Sequence, residues 1–177
     1  MEKLKQSHNV HIQWRSFELR PAEGPPISPE YRARIEAHRP QLVALAWERY
    51  GLEINSGPFG INSRPALVGA KFAEAQGVGE AYHDAVFRAY WQDAKDISGL
   101  NVLAELATAV GLDRDQFLAA LNNPQFQQEM MADVEQAFQY GLNSVPALVY
   151  NSKFLVTGAQ PYELLAQVAE KASGKDK

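Results

Sequence analysis

A change of pattern near residue 145 constrains the fold of this 177-residue chain more than any other feature. A long stretch of helical periodicity ends at Gly141, and two short apolar stretches follow, at residues 145–150 and 153–157. Asn151 and Ser152 separate them, and these residues suit a tight turn because Asn tolerates positive φ. We therefore predict an antiparallel hairpin near the end of a mostly helical chain, followed by one last helix.

The N-terminal residues predict a strand. Apolar and polar residues alternate from residue 10 as far as Ser16, where the phase slips so that Phe17 and Leu19 take the apolar positions. Such alternation is typical of a half-buried strand, here over residues 10–19, that ends in a bulge or bend. The preceding residues 2–7 look like the last turns of a helix.

The middle of the chain predicts helices. Ser28 is placed to cap a helix whose first residue is Pro29, and Pro40 is expected to kink or divide that helix. Helical periodicity then returns in five segments, namely 65–76, 79–92, 100–110, 114–121 and 124–140. In the last of these, an apolar residue recurs every four positions and predicts one buried stripe. The stripe consists of Phe126, Met130, Val134 and Phe138.

Composition bounds the chemistry and the partners. The chain has no cysteine, so it forms no disulfide, thiolate nucleophile or cysteine-ligated zinc site. The formal net charge is −4, and residues 96–140 carry seven acidic side chains against one arginine, which disfavours a nucleic-acid partner.

The histidines are isolated apart from His8 and His11, so no metal site is expected. Without a membrane-spanning apolar run or an apolar block in residues 1–6, no membrane association is expected and a cytoplasmic location is the default.

Several segments together resemble the DsbA family of thioredoxin-like proteins, especially its cytoplasmic FrnE-like branch. The segments that carry the resemblance are residues 13–21 (QWRSFELRP), 87–91 (FRAYW) with 96–97, 143–147 (NSVPA), and 152–162. Their order and spacing extend over nearly the whole chain. The resemblance implies an α/β, thioredoxin-like fold with a large helical insertion. Residues 1–26 and 142–177 would form an incomplete thioredoxin-like domain, and residues 27–141 would form the insertion.

The chain departs from the family at its start. Family members begin with a strand and a C-x-x-C motif at a helix N-terminus, where the helix dipole lowers the pKa of one thiol. Met1 corresponds to the end of that helix, so the first strand and the dithiol are absent from this chain and no residue inherits the catalytic role. Leaving a central strand unfilled would forgo roughly 10 kcal/mol of burial, comparable with a domain's whole stability. We expect that the true product starts upstream, that another chain supplies a strand, or that residues 10–19 pair with the hairpin, and we favour the first.

The resemblance also implies the substrate-binding residues. Val145 and Pro146 would form the cis-proline bond that lies opposite the dithiol, with Ser144 and Gln160 beside it. Arg64 is a further candidate, because its guanidinium suits an anionic group such as the carboxylate of glutathione. The alternative for that segment is that Asn62 or Ser63 simply caps the helix opened by Pro65, and we favour this alternative.

Three hypotheses for function follow. The first is a DsbA/FrnE-like thiol–disulfide oxidoreductase family member that is catalytically incompetent as given, because its dithiol segment is missing; whether this chain is an enzyme stays open. It would bind an extended peptide or a small thiol by main-chain pairing at Val145, with a second copy of the chain as another partner that completes the sheet. The second is a glutathione-dependent isomerase similar to 2-hydroxychromene-2-carboxylate isomerases, which use a serine where the dithiol would be. The third is a non-catalytic peptide-binding module.

No cofactor is expected under any of the three hypotheses, and glutathione would take part only as a substrate. The module hypothesis has candidate residues of its own. Trp47, Phe87, Tyr90 and Trp91 are aromatics suited to line a groove. For the three on one helix, core packing is the favoured explanation of their spacing.

Overall fold

The computed structural model describes residues 1–21 and 23–174, so that Ala22 and residues 175–177 of the predicted thioredoxin-like domain lie outside the described residues. Helices dominate this part of the chain, and the only strands in it form one hairpin. The helices are α1 (Glu2–Ser7), α2 (Pro29–Tyr50), α3 (Arg64–Ala75), α4 (Gly79–Trp91), α5 (Leu100–Ala109), α6 (Arg114–Ala120), α7 (Pro124–Gln139) and α8 (Tyr162–Ala172). The strands are β1 (Ala147–Tyr150) and β2 (Phe154–Thr157).

Local chemistry sets the helix ends where the sequence predicts them. The Ser28 side chain accepts a hydrogen bond from the Tyr31 N–H, and Asp113 accepts one from Gln116, so each satisfies an amide that the first helical turn leaves unpaired. The helix α2 ends at Gly51, whose φ of 62° is the left-handed conformation that glycine tolerates. Pro40 lies within α2 but does not divide it. No helix in the described part of the chain is both long and apolar enough to cross a membrane.

The chain forms two units, which are described separately. The helical unit comprises Arg20–Ala132, and the hairpin unit comprises Met1–Leu19 with Asp133–Lys177. The boundaries predicted for the insertion, residues 27–141, stay a prediction.

The core of the helical unit lies where α3 packs against α4, α5 and α6. Phe117 is fully buried, with its ring centroid 5.5 Å from that of Tyr82 and 6.2 Å from that of Phe72. Phe72 also meets Phe126 edge-on at 5.6 Å. Buried aromatic contacts of this kind add to the free energy gained by burying their area, so these rings form the main stabilising cluster of the unit.

A glycine makes this aromatic cluster sterically feasible. A Cβ atom built on Gly69 of α3 would lie 2.7 Å from Cζ of Phe117 and 2.7 Å from the hydroxyl oxygen of Tyr82. Both distances are far below a normal contact, and both neighbours are held by the core. Any side chain at Gly69 would therefore push α3 away from the cluster.

The Tyr82 hydroxyl is buried, and no described residue forms a hydrogen bond with it. Burial also raises the pKa of the phenol, so the group stays neutral. Because an unsatisfied buried hydroxyl costs free energy, Tyr82→Phe is expected to raise the free energy of unfolding by about 1 kcal/mol. Urea denaturation followed by far-UV circular dichroism measures this change. The exposed Tyr50→Phe serves as the control and is expected to change nothing; a loss of stability in Tyr82→Phe would contradict the prediction.

In the hairpin unit, β1 and β2 pair antiparallel with Ala147 opposite Thr157 and Tyr150 opposite Phe154. Asn151 and Ser152 both have positive φ, as the predicted turn requires, and the Lys153 N–H donates to the Tyr150 carbonyl across it. Pairing begins only at Phe154, so the loop is one residue longer than predicted.

The two faces of this hairpin have different environments. Leu148 and Val156 share the inner face, together with Tyr150, whose hydroxyl donates to the Leu165 carbonyl of α8. Val149 and Leu155 share the outer face and are exposed.

The predicted strand over residues 10–19 is wrong. Residues 10–18 have no strand structure, and they do not pair with the hairpin, whose sheet in the described part of the chain contains β1 and β2 alone. A strand requires a neighbour for its backbone hydrogen bonds, and alternation of side chains does not supply one. The change of phase predicted at Ser16 is also wrong. It would bury Leu19, but Leu19 is 57% exposed, and Ser16 and Glu18 are buried instead.

The predicted stripe on α7 holds for three of its four members. Phe126, Met130 and Val134 are buried, but Phe138 is 60% exposed. Phe138 lies in the last turn, where its ring is in tilted contact with the half-buried ring of Phe17, with centroids 6.4 Å apart.

Candidate functional site

The bend that leads into β1 presents backbone groups to solvent. The Val145–Pro146 peptide bond is cis, and the Pro146 carbonyl accepts a 2.8 Å hydrogen bond from the Gly158 N–H at the far end of β2. Val145 itself is 53% exposed, and in the described part of the chain no hydrogen bond is formed by its N–H or its carbonyl. The bend is therefore held on the β2 side and open on the other.

The open side continues along β1. Backbone groups of consecutive residues in an antiparallel strand point alternately to its two edges. Since Pro146 bonds towards β2, the N–H and carbonyl groups of Ala147 and Val149 point to the opposite edge, and no second strand within residues 1–21 and 23–174 pairs with it. The outward groups of Ala147 and Val149 on β1, together with the unpaired backbone groups of Val145 in the bend before them, are here called the free edge.

Two other predicted site residues lie near the same end of the hairpin. Ser144 is exposed in the bend immediately before Val145. Gln160 is also exposed, and its side-chain amide donates to the Thr157 carbonyl at 2.9 Å, which folds it back over the end of β2. A Cβ built on Gly158 would lie 3.7 Å from the Gln160 amide nitrogen, so this side chain borders the Pro146–Gly158 bond.

The remaining predicted site residue, Arg64, belongs to the helical unit, as do Glu23 and Asn62, with which it forms hydrogen bonds. Its guanidinium binds both carboxylate oxygens of Glu23, at 3.0 and 3.1 Å. Its N–H donates to the Asn62 side chain, so Asn62 satisfies the first amide of α3, while the N-cap residue Ser63 forms no side-chain cap bond. An anionic ligand at Arg64 would have to displace Glu23 first.

The aromatics proposed for a groove differ in exposure. Trp47 and Phe87 are largely exposed, so core packing does not explain Phe87. Tyr90 is half-buried, and its hydroxyl donates to the Pro58 carbonyl. Its burial raises the pKa of the phenol.

A buried carboxylate holds the extended N-terminal segment of the hairpin unit. Asp133 of α7 is 4% exposed and accepts hydrogen bonds from the Ser16 N–H at 2.9 Å and from the Arg15 guanidinium at 2.8 Å. The carboxylate therefore pairs with a backbone amide that has no strand partner. This bond across 117 residues replaces the ladder that the sequence predicts for residues 10–19.

A chain of polar contacts ties α1 to α8 in the same unit. The Tyr162 hydroxyl donates to the Ser7 hydroxyl oxygen at 2.7 Å, Ser7 lies 2.8 Å from Nδ1 of His8, and Nε2 of His8 lies 3.5 Å from Glu170. A serine, a histidine and a carboxylate thus meet without any sequence motif. They meet at the C-terminal end of α1, which exposes carbonyls and offers no amide pair to stabilise an oxyanion, so the arrangement suits a structural tie.

Sequence reasoning missed the free edge beyond Val145 and the Asp133 anchor. The free edge follows from the hairpin register, so counting from the Asn151–Ser152 turn would have found Ala147 and Val149. The anchor joins residues far apart in the chain, and the only hint was a lone Asp on the predicted buried side of the last long helix.

Comparisons with known proteins agree with this architecture. The family model described as a DSBA-like thioredoxin domain matches residues 1–170. The chain is 27% identical over 153 residues to the uncharacterized protein YwbO of Bacillus subtilis (strain 168), covering 84% of this chain and 76% of that protein. It is 28% identical, with a TM-score of 0.77, to the crystal structure of a probable DsbA oxidoreductase from Streptomyces coelicolor, covering 92% of this chain and 75% of the other.

A third comparison concerns the fold alone. The structure of a 2-hydroxychromene-2-carboxylate isomerase has a TM-score of 0.74 and 17% identity, covering 99% of this chain and 90% of the other. The hairpin, the helices and these likenesses define a thioredoxin-fold protein that is mostly helical. Within that class, the chain belongs to the family of DSBA-like thioredoxin domains.

Proposed function

We propose that this chain is a FrnE-like member of the family that binds extended peptides along the free edge and does not itself exchange disulfides. The observation that carries the proposal is the exposed Val145, whose backbone forms no hydrogen bond in the described part of the chain, directly before the outward-facing groups of Ala147 and Val149. Addition of a peptide strand to an exposed sheet edge is a recurring mode of recognition, in which main-chain hydrogen bonds supply much of the affinity.

The absence of thiol chemistry is part of the proposal. The chain has no cysteine, so it offers no thiolate to attack a disulfide. That Pro146 serves beside a dithiol, and that a longer product carries that dithiol, stay predictions. The location proposed is the cytoplasm, as for the branch that the sequence resembles.

The test is a scan of singly N-methylated peptides. A fluorescent, unstructured apolar peptide is titrated with the 177-residue chain, and its anisotropy gives the Kd. N-methylation removes one donor, and only every second N–H of an extended peptide faces the free edge. We therefore expect affinity to fall about three- to tenfold at alternate positions, corresponding to one hydrogen bond each, and to change little at the positions between them.

The same titration separates the competing outcomes. Losses without alternation, or equal affinity for every peptide, would mean that the peptide does not add as a strand. A second copy of the chain is the other occupant expected for this edge. If the peptide binds more weakly as the protein concentration rises, and sedimentation shows dimers, then the free edge pairs with a second copy of the chain. That result would contradict peptide binding as the function of the edge.

The isomerase hypothesis is the alternative, and it is compatible with the fold that the chain shares with a 2-hydroxychromene-2-carboxylate isomerase. An isomerase of this kind requires the chain to bind free glutathione. Peptide binding by strand addition does not require glutathione binding. Titration of glutathione and of S-methylglutathione into the chain distinguishes the two. Saturable glutathione binding with no peptide binding would support the isomerase-like function.

A further inference from the structure

Three arginine side chains gather around two stacked rings in the helical unit. The rings of Tyr31 and Phe59 are stacked with centroids 6.3 Å apart. The guanidinium carbons of Arg20 and Arg34 lie 4.5 and 4.9 Å from the Tyr31 centroid. Arg32 lies 5.4 Å from the Phe59 centroid, and Arg20 is also 5.9 Å from it. These three side chains, here called the arginine cluster, come from the connector before α2 and from the first turns of α2.

Carboxylates near in sequence do not neutralise the cluster. Glu30 precedes Arg34 by four residues and Glu36 follows Arg32 by four, a spacing that commonly gives ion pairs on a helix. Neither pair comes within ion-pair distance in the structure, because both guanidiniums lie over rings instead. Glu23, on the connector, is bound by an arginine outside the cluster.

The N–H donors of the cluster are also available. Within residues 1–21 and 23–174, no hydrogen bond is formed by the guanidinium of Arg20, Arg32 or Arg34. The rings hold the guanidiniums by cation–π contact, which reduces the freedom that each long side chain would lose on binding a ligand. Three guanidiniums held over one pair of rings concentrate positive charge in a chain of net charge −4, and this local charge favours an anion.

We propose that the arginine cluster binds a phosphate group of a small molecule. Guanidinium forks match the oxygen geometry of phosphate and form paired, charge-assisted hydrogen bonds with it. Because guanidiniums lie over both rings, the recognition proposed is of the phosphate and does not involve stacking of a base on the rings. This binding is independent of the peptide function proposed above, because it uses a different unit of the chain.

Isothermal titration of the full chain with pyrophosphate, inorganic phosphate and citrate tests the proposal at constant ionic strength. We expect saturable pyrophosphate binding at least tenfold tighter than citrate binding, with phosphate between them. Citrate binding as tight as that of pyrophosphate, or no saturable binding, would overturn the proposal.

Variants assign the binding to the cluster. The double variant Arg20→Gln/Arg34→Gln is expected to weaken pyrophosphate binding at least tenfold. Arg49→Gln removes one positive charge from the last turn of α2, outside the cluster, and is expected to change the affinity less than twofold. Arg34→Lys keeps the charge but loses the planar fork, so it is expected to weaken pyrophosphate binding at least threefold. If the double variant misfolds, Arg34→Lys serves as the test, provided that its circular dichroism spectrum is unchanged. Equal losses in Arg49→Gln and the double variant would reduce the effect to overall charge and contradict the site.

Discussion

Replacing Phe117 by alanine is expected to lower the free energy of unfolding of the helical unit by about 3–5 kcal/mol. Phe117 is fully buried, and its ring is in contact with Tyr82 and Phe72 at the centre of the helices α3, α4 and α6. The change removes the burial of a whole ring and leaves a cavity that rigid neighbours cannot close. Such a loss approaches the entire stability of many domains.

Urea denaturation followed by the helical circular dichroism signal measures this effect. The control is Phe87→Ala on α4, where the ring is largely exposed and stacks on the imidazole of His83, 4.3 Å away. It is expected to cost less than about 1 kcal/mol. Comparable losses for the two variants would mean that the helical core does not have the packing described here.

Asp133→Ala is expected to destabilise the hairpin unit by about 2–4 kcal/mol. The substitution leaves the buried Ser16 N–H without an acceptor, which by itself costs about 1–3 kcal/mol, and it removes a charge-assisted bond to Arg15. Because residues 10–18 have no strand partner, no other described backbone group replaces this acceptor.

Amide hydrogen exchange at Ser16, read together with the melting temperature, checks the Asp133 prediction. Protection of the Ser16 amide should disappear in Asp133→Ala and persist in Glu135→Ala, which removes an exposed carboxylate from the same helix. Glu135→Ala should change stability by less than about 0.5 kcal/mol. A protected Ser16 amide in Asp133→Ala would show that Asp133 is not its partner.

Much of the helical architecture is predictable from the sequence, for reasons that are local. Caps such as Ser28 and stops such as Gly51 act within one helical turn, so each boundary is encoded by a few neighbouring residues. The position of the hairpin is predictable for the same reason, because Asn151 tolerates positive φ, but its exact pairing is not, since Lys153 also belongs to the loop. The predicted residues Ser144 to Pro146 lie near Gln160 because the hairpin is short and brings the residues before β1 close to those after β2.

The features that escaped prediction all depend on contacts between distant residues. Alternation over residues 10–19 suggests which side chains face inward, but it does not report their burial, since Trp14 is 36% exposed whereas Ser16 and Glu18 are buried. It does not report whether a neighbouring strand exists. The arginine cluster likewise requires Arg20 and Phe59 to meet, and nothing in either local pattern indicates that contact.

The close approach at Gly69 has a consequence for how this chain can diverge over evolutionary time. With the Phe117 ring and the Tyr82 hydroxyl each 2.7 Å from where a Cβ would sit, a methyl group there is accommodated only if both aromatics shrink or withdraw. The three positions are thus expected to vary together across descendants, even though they lie on three different helices. Surface positions of the same helices are under no such constraint, so drift there leaves the spacing of the helices intact.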